Sequence, residues 1–253
     1  VLVLGTIGIG FAAASAAVVN HVVDEHIDAQ MQRTRERPIP QGNMTPGRAI
    51  AFSATLGVLS MVILSVFINP LTAILSLAGL VGYAFIYTMF LKHATPQNIV
   101  IGGISGALPP LLGWTAVTNA IEAPAILLVL IIFAWTPPHF WALAIDRVED
   151  YKKAGVPMLP VTHGIEFTKS CIIFYTLVLV IISALPYVIG TSGLLYLIGA
   201  LFLGGWFTYY AVKLKFSPNE KTAITTFFVS IKYLFALFIV LLLDHYVSPL
   251  LGG

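Results

Sequence analysis

Between residues 1 and 19 the chain reads VLVLGTIGIGFAAASAAVV without one charged side chain, and seven more apolar runs follow, at 47–68, 71–91, 98–117, 123–145, 170–189, 193–213 and 224–246. Crossing a hydrocarbon core of ~30 Å takes about 20 helical residues, and lipid offers no partner to a free backbone amide. Each run is therefore predicted to be a transmembrane helix, and the fold class to be all-α, a polytopic transmembrane helical bundle. Composition agrees: 58% of the 253 residues are hydrophobic and 9% are charged, against about 45–50% apolar usage in a soluble domain. The first run has no basic leader and no small-residue cleavage site of a signal peptide. The chain is expected to enter a helix midway and to be shortened at its N-terminus. Cys171 is the single cysteine and lies in an apolar run, which excludes an internal disulfide and a cysteine metal cluster.

The charges orient the bundle. Threading eight helices places the segments 20–46, 92–97, 146–169 and 214–223 on one side and the short turns near Asn69, Thr118 and Thr191 on the other. Of the 13 Lys and Arg residues, all but Lys232 lie on the first side or at its helix ends. An excess of basic residues marks the cytoplasmic face. The outer turns offer little room for a site, so chemistry is expected on the inner face.

That face carries acids in a pattern. Asn20, Asp24 and Asp28 are spaced i, i+4, i+8 in the stretch NHVVDEHID. On a continued helix they line one side, each step rising ~6 Å. Like charges at i, i+4 repel, and a bound cation removes the penalty. Asp146 and Asp150 repeat the spacing at the end of the fifth run. Each cluster precedes a basic, proline-bearing loop, MQRTRERPIP and then YKKAGVPMLP. The pattern reads as a divergent internal repeat, 1–122 and 123–253, within one transmembrane domain. Paired carboxylates backed by Arg33, Arg37, Arg147 and Lys152 suit a magnesium-bound diphosphate, because Mg²⁺ takes one or two carboxylates and completes its shell with water and phosphate oxygen. The same charges are also what any solvated cytoplasmic rim would carry.

With these residues in view, Asn20, Asp24 and Asp28 followed by MQRTRERP at 31–38 resemble the first aspartate motif of the UbiA superfamily of intramembrane prenyltransferases, in the form found in its heme branch, the protoheme IX farnesyltransferases. YTMFLKHATPQNIVIGGISGALPPLLGW at 87–114, WTPPHFWALA at 135–144 and DYKKAGVPMLPV at 150–161 are similar to the same branch. The resemblance covers 20–164; beyond it only the helix pattern agrees. The NIVIGG and PPHF stretches point to heme rather than to quinone or chlorophyll precursors. Members usually have nine membrane helices, so the first is expected to be missing here, and with it part of the cavity wall. The second motif of the heme branch matches Arg147, Asp150 and Tyr151 and leaves Asp146 outside it.

The resemblance implies a prenyltransferase that moves the farnesyl group of farnesyl diphosphate onto a vinyl group of heme b, with Mg²⁺ held by Asp24, Asp28 and Asp150, and with Asp146 as a further candidate ligand. Arg33, Arg37, Lys92, Arg147 and Lys152 are the candidates for stabilising the leaving diphosphate. Asn20, Asn98, Tyr151, Tyr87, Trp114, His93 and His139 are candidates for binding substrate. Tyr83, Phe140 and Trp141 join Tyr87 and Trp114 as aromatics that either line the cavity or pack in the core. His139 follows Pro137 and Pro138 inside a span, where a polar side chain faces a cavity, and either it or His93 is placed to meet heme propionates or iron. Asn98 follows Pro96 and is read as a helix cap or a diphosphate contact. Gly102, Gly103 and Gly106 are read as close helix packing. The implied partners are farnesyl diphosphate, heme b and the lipid bilayer, with a heme A synthase or terminal oxidase assembly downstream and no nucleic acid. The implied location is the plasma membrane, with the active site on the cytoplasmic side. The residues alone also admit a prenyltransferase for a quinone precursor or other aromatic acceptor, a transporter whose acids bind a coupling ion, and a non-catalytic assembly factor.

Overall fold

A computed structural model describes residues 1–31, 34–91, 94–217, 219 and 221–247. Among them every regular element is helical. Eight helices are long and apolar enough to span a bilayer: Leu2–Val23, Pro46–Phe67, Pro70–Leu91, Asn98–Thr118, Ala123–Asp146, Ile165–Val188, Leu194–Phe216 and Thr222–Val247. They coincide with the eight apolar runs. The sixth differs most, starting five residues before residue 170, because Lys169 Nζ bonds Glu166 Oε1 at 2.7 Å and the pair enters the helix together.

In chain order the elements are α1 (Leu2–Val23), α2 (Glu25–Gln30), α3 (Pro46–Phe67), α4 (Pro70–Val81) and a π-helical turn, π1 (Gly82–Leu91). Next come α5 (Asn98–Ala107), α6 (Pro109–Thr118), α7 (Ala123–Asp146), α8 (Val148–Lys153) and α9 (Leu159–Thr162). The chain ends in α10 (Ile165–Val188), α11 (Leu194–Phe216) and α12 (Thr222–Val247). These fall into two compact units, Val1–Ala125 with Glu149–Met158, and Ile126–Val148 with Leu159–Gly253.

In the first unit α1 packs along α3 through small polar residues, as expected where lipid supplies no hydrophobic drive between helices. Ser15 Oγ donates to Ser53 O at 2.9 Å, Ser53 Oγ returns to Ser15 O at 3.0 Å, and Ser60 Oγ donates to Gly8 O at 2.7 Å. Gly8 is what permits this approach: a Cβ there would stand 2.7 Å from buried Leu64. Asn69 caps α4 by accepting from Thr72 N at 2.8 Å, and it holds α6 by donating to Thr115 O at 2.8 Å. α4 then runs into π1 without leaving the span. Gly102 of α5 accommodates the Tyr87 ring, which a Cβ would overlap.

The second unit has an aromatic core in which Tyr196, Phe207 and Tyr233 are fully buried with Leu179 and Leu237. Ser183 and the Tyr233 hydroxyl meet at 2.8 Å inside it. Asp244, near the end of α12 and 2% exposed, accepts from the backbone N–H of Gly193 (2.7 Å) and Tyr196 (3.1 Å). It thus supplies to the start of α11 the cap that Gly193 lacks.

Candidate active site

The helix carrying the first acids does continue past its apolar part. Asp24 N donates to Asn20 O at 2.9 Å and Asp28 N to Asp24 O at 2.8 Å across the junction of α1 and α2, so Asn20, Asp24 and Asp28 share one face. That face points inward: Asp24 is 2% exposed and Asp28 3%. Each acid has a partner of its own, which answers the repulsion their spacing implies. Asn20 Nδ2 donates to Asp24 Oδ2 at 2.8 Å, and Arg37 Nη1 donates to Asp28 Oδ2 at 2.6 Å.

Arg37 reaches Asp28 because the loop after α2 folds back on itself. Thr34 N and Arg35 N donate to Met31 O, Arg37 N donates to Thr34 O, and Thr34 Oγ1 donates to Asp28 O at 3.1 Å. Buried Met31 and Ile39 pin the loop, and Gly42 at φ 73° turns it toward α3. The segment 34–38 thus places the Arg37 cation on the acid nine residues earlier.

The opposite wall is π1. Thr88 is fully buried, its Oγ1 donates to Tyr83 O five residues back at 2.8 Å, and it accepts from Asn20 Nδ2 at 3.4 Å. The i, i+5 winding lets Tyr83 and Tyr87 stack with ring centroids 5.4 Å apart. Tyr83 lies within electrostatic reach of Asp24 and Arg37, and Tyr87 within reach of Asp24 and Tyr151. π-helical turns inside α-helices concentrate at functional sites. Tyr151 and Asp150 belong to α8, whose residues from Glu149 cluster with this unit, so the second acidic segment joins the first. Asp150 is half-buried, Tyr151 buried and Lys152 exposed.

A cavity of ≈ 300 Å³ opens beside this wall. Its lining is almost entirely apolar or small, from Ile9, Ala12 and Ala16 of α1 across Gly79 to Leu108 and Leu112, with Tyr83 among the lining residues.

Asp146 and Arg147 belong to the second unit and pair with each other at 3.2 Å. Trp114 is near the end of α6, its Nε1 donating to Glu122 Oε2 at 2.9 Å, about 24 Å along the span from Asn98 by helical rise. The structure does not bring it to the aspartates. Trp141 is 1% exposed and edge-on to Tyr175 in the second unit, a core position, while Phe140 is half-buried there. Asn98 is fully buried as the first residue of α5; Gln97 occupies the cap position without a side-chain bond, so the capping role expected of Asn98 is not the one it has. Arg33, Lys92 and His93 lie outside the described residues. His139 sits between the rings of Trp135 and Phe227 in the second unit. Two neighbours of the aspartate face had no sequence signal: Thr88, whose contact depends on π winding, and His21, within electrostatic reach of Asp24, Asp28 and Arg37.

Among the described residues no three of His, Cys, Asp and Glu gather into a ready-made metal cage. The donor set nonetheless fits Mg²⁺: two buried carboxylates and an amide are hard oxygen ligands, and this ion characteristically leaves the rest of its shell to water and phosphate.

An all-helical membrane bundle whose buried aspartate face looks onto tyrosines and an apolar cavity defines an intramembrane enzyme for a substrate with an anionic head and a hydrocarbon tail. The UbiA prenyltransferase family matches residues 1–241, and the chain belongs to that family. It is 59% identical over 98% of its length to the protoheme IX farnesyltransferase of Idiomarina loihiensis, covering 83% of that protein. Among solved structures it resembles a digeranylgeranylglyceryl phosphate synthase, with TM-score 0.80 at 25% identity over 96% of this chain and 84% of the other. It also shares its fold with a UbiA homologue from Archaeoglobus fulgidus bound to DMAPP and Mg²⁺, with TM-score 0.63 at 18% identity over 94% and 86% of the two chains.

Proposed function

We infer that this chain transfers the farnesyl group of farnesyl diphosphate to the terminal carbon of a vinyl group of protoheme IX, and that water then adds to the cation left on the inner vinyl carbon and loses a proton, so that farnesyl diphosphate, heme b and water give heme O, diphosphate and a proton. The observation that carries the transferase chemistry is the buried face of Asn20, Asp24 and Asp28 with Arg37 folded onto it. The choice of heme as acceptor is supported by the 59% identity to a protoheme IX farnesyltransferase.

The barrier lies in breaking an allylic C–O bond, which leaves positive charge on carbon and negative charge on diphosphate. Asp24 and Asp28, with Asp150, are the residues that would hold Mg²⁺, a reading supported by the Mg²⁺ bound in the Archaeoglobus fulgidus homologue. When bound, the ion supplies Lewis-acid charge to the leaving group. Asn20 orients the Asp24 carboxylate through its amide. Arg37 has five N–H donors, of which Asp28 uses one in the resting site, so the guanidinium can hold Asp28 and meet diphosphate oxygen together. Lys152, exposed at the end of α8, adds long-range positive charge. The Tyr83 and Tyr87 faces shield the allylic cation. The apolar cavity keeps water from it and accepts the farnesyl chain; its volume lies at the lower end of known ligand sites, about 300–1,000 Å³.

Arg33, Lys92 and Arg147 complete the charge set, His139 contacts the heme, and the active site faces the cytoplasm of a plasma membrane, where the basic loops cluster. The two halves of the chain are related repeats, each contributing one acidic helix end. Heme O passes onward to a heme A synthase or a terminal oxidase. Incubating membranes that contain the protein with farnesyl diphosphate and either heme b or a hydroxybenzoate tests the acceptor. Farnesylated heme alone is expected; prenylated hydroxybenzoate alone would overturn the assignment.

A further inference from the structure

Within the span α7 the His139 ring is held on three sides. Trp135 stacks on one face with centroids 4.1 Å apart and planes at 17°, and Phe227 of α12 on the other at 4.5 Å and 25°. On its edge, Nδ1 lies 2.7 Å from Ser230 Oγ. Ser230 is fully buried and is itself fixed twice: Oγ lies 2.6 Å from Phe227 O, and its carbonyl accepts from Trp135 Nε1 at 2.8 Å.

These contacts determine a proton. The serine hydroxyl has one hydrogen and two close neighbours. If that hydrogen pointed to Nδ1, two oxygens would face each other at 2.6 Å with nothing between them. Directed at the Phe227 carbonyl, it leaves the Oγ lone pair to accept from Nδ1–H, and both contacts become hydrogen bonds. His139 is then the Nδ1–H tautomer, with the lone pair on Nε2. Both ring faces are covered and the Nδ1 edge is used, so the Nε2 edge of this half-buried side chain is the one left for a ligand. An ionisable residue so elaborately held inside a span is costly in lipid and marks function.

Resting on the reading that heme is the acceptor, we propose that His139 ligates the heme iron through Nε2 and that Ser230 is its positioning residue. A second hydrogen bond from Nδ1–H is what fixes the tautomer of a metal-bound imidazole and raises its basicity. Neutral imidazole is a usual axial ligand of heme iron. The ligation anchors the porphyrin during vinyl transfer, a task distinct from that of the aspartates. Neither Ser230 nor Phe227 could be paired with His139 from the sequence, because they lie 91 and 88 residues away.

The test is heme titration of the purified full-length protein, followed by the Soret band and by the iron–histidine stretch in resonance Raman of the ferrous form. The wild type shows an iron–histidine band, and His139→Ala loses it. Ser230→Ala weakens heme binding about 10- to 100-fold and moves the band to lower frequency, while Ser230→Thr, which keeps the hydroxyl, restores both. A purely structural serine would change stability without moving the band in the folded fraction. If the wild type farnesylates heme but its band survives His139→Ala, or does not move in Ser230→Ala, the ligation proposal is wrong and the enzymatic reading stands. If the wild type neither binds nor farnesylates heme, the enzymatic reading fails first.

Discussion

Arg37 Nη1 donates to Asp28 Oδ2 across 2.6 Å, bridging the nine residues between α2 and the fold of the loop that follows. The pair joins the two parts of the first motif: the side chain of the acid is 4% exposed and that of the arginine 25%. Arg37 therefore pairs with a buried carboxylate, and in the proposed reaction it has a second task, presenting positive charge to an incoming diphosphate.

Replacing Arg37 separates those tasks. Arg37→Gln removes both, and kcat/KM for farnesyl diphosphate is expected to fall about 10²–10³-fold, the scale of losing one electrostatic donor at a reacting centre. Arg37→Lys keeps the charge but not the planar fork and should fall between wild type and Arg37→Gln. Steady-state kinetics with varied farnesyl diphosphate checks the order; equal activity in all three would remove Arg37 from the site.

Tyr87 depends on a glycine in the next helix of the chain. A Cβ at Gly102 would overlap its ring, and the ring cannot yield at one atom because Cγ is crowded as well as the far edge. Gly102→Ala is expected to displace Tyr87 from its stack with Tyr83 and to lower kcat at least about ten-fold, with overpacking of ~1–3 kcal/mol seen as a lower melting temperature in detergent. The double variant Gly102→Ala, Tyr87→Ala should recover stability but not kcat. Recovery of neither, or loss of neither in the single variant, would contradict this packing.

Asp244 makes the opposite kind of prediction. Its two oxygens satisfy the Gly193 and Tyr196 amides, and it has no place in the proposed chemistry. Asp244→Ala leaves those donors uncapped, at ~1–2 kcal/mol. The melting temperature should drop while kcat/KM at low temperature stays at the wild-type value.

What the sequence made legible was local. Eight spans follow from apolar length, and the inward face of Asn20, Asp24 and Asp28 follows from a 3.6-residue period that the structure continues through the α1–α2 junction. Gly102 was legible as a packing residue, though not which ring it receives. The π winding of Gly82–Leu91 was hidden, because its i, i+5 bonds leave no mark in an apolar segment. The Trp114–Glu122 pair was equally hidden, because an aromatic in a span carries no sequence signal for which polar group its ring nitrogen will meet. The Asp244 cap and the Ser230–His139 bond join residues 48 or more positions apart, and one sequence carries no record of such pairing.

The most direct measurement of the central claim is the yield of farnesylated heme from membranes containing the full-length protein, with Mg²⁺ or with excess chelator, for the wild type beside Asp24→Asn and Asp28→Asn. Wild-type product should depend on the ion, and each isosteric variant should lose at least about a hundred-fold of the rate, consistent with removal of a charged group at a developing anion. Undiminished product in either variant, or from the wild type in chelator, would show that the buried aspartate face does not drive diphosphate departure.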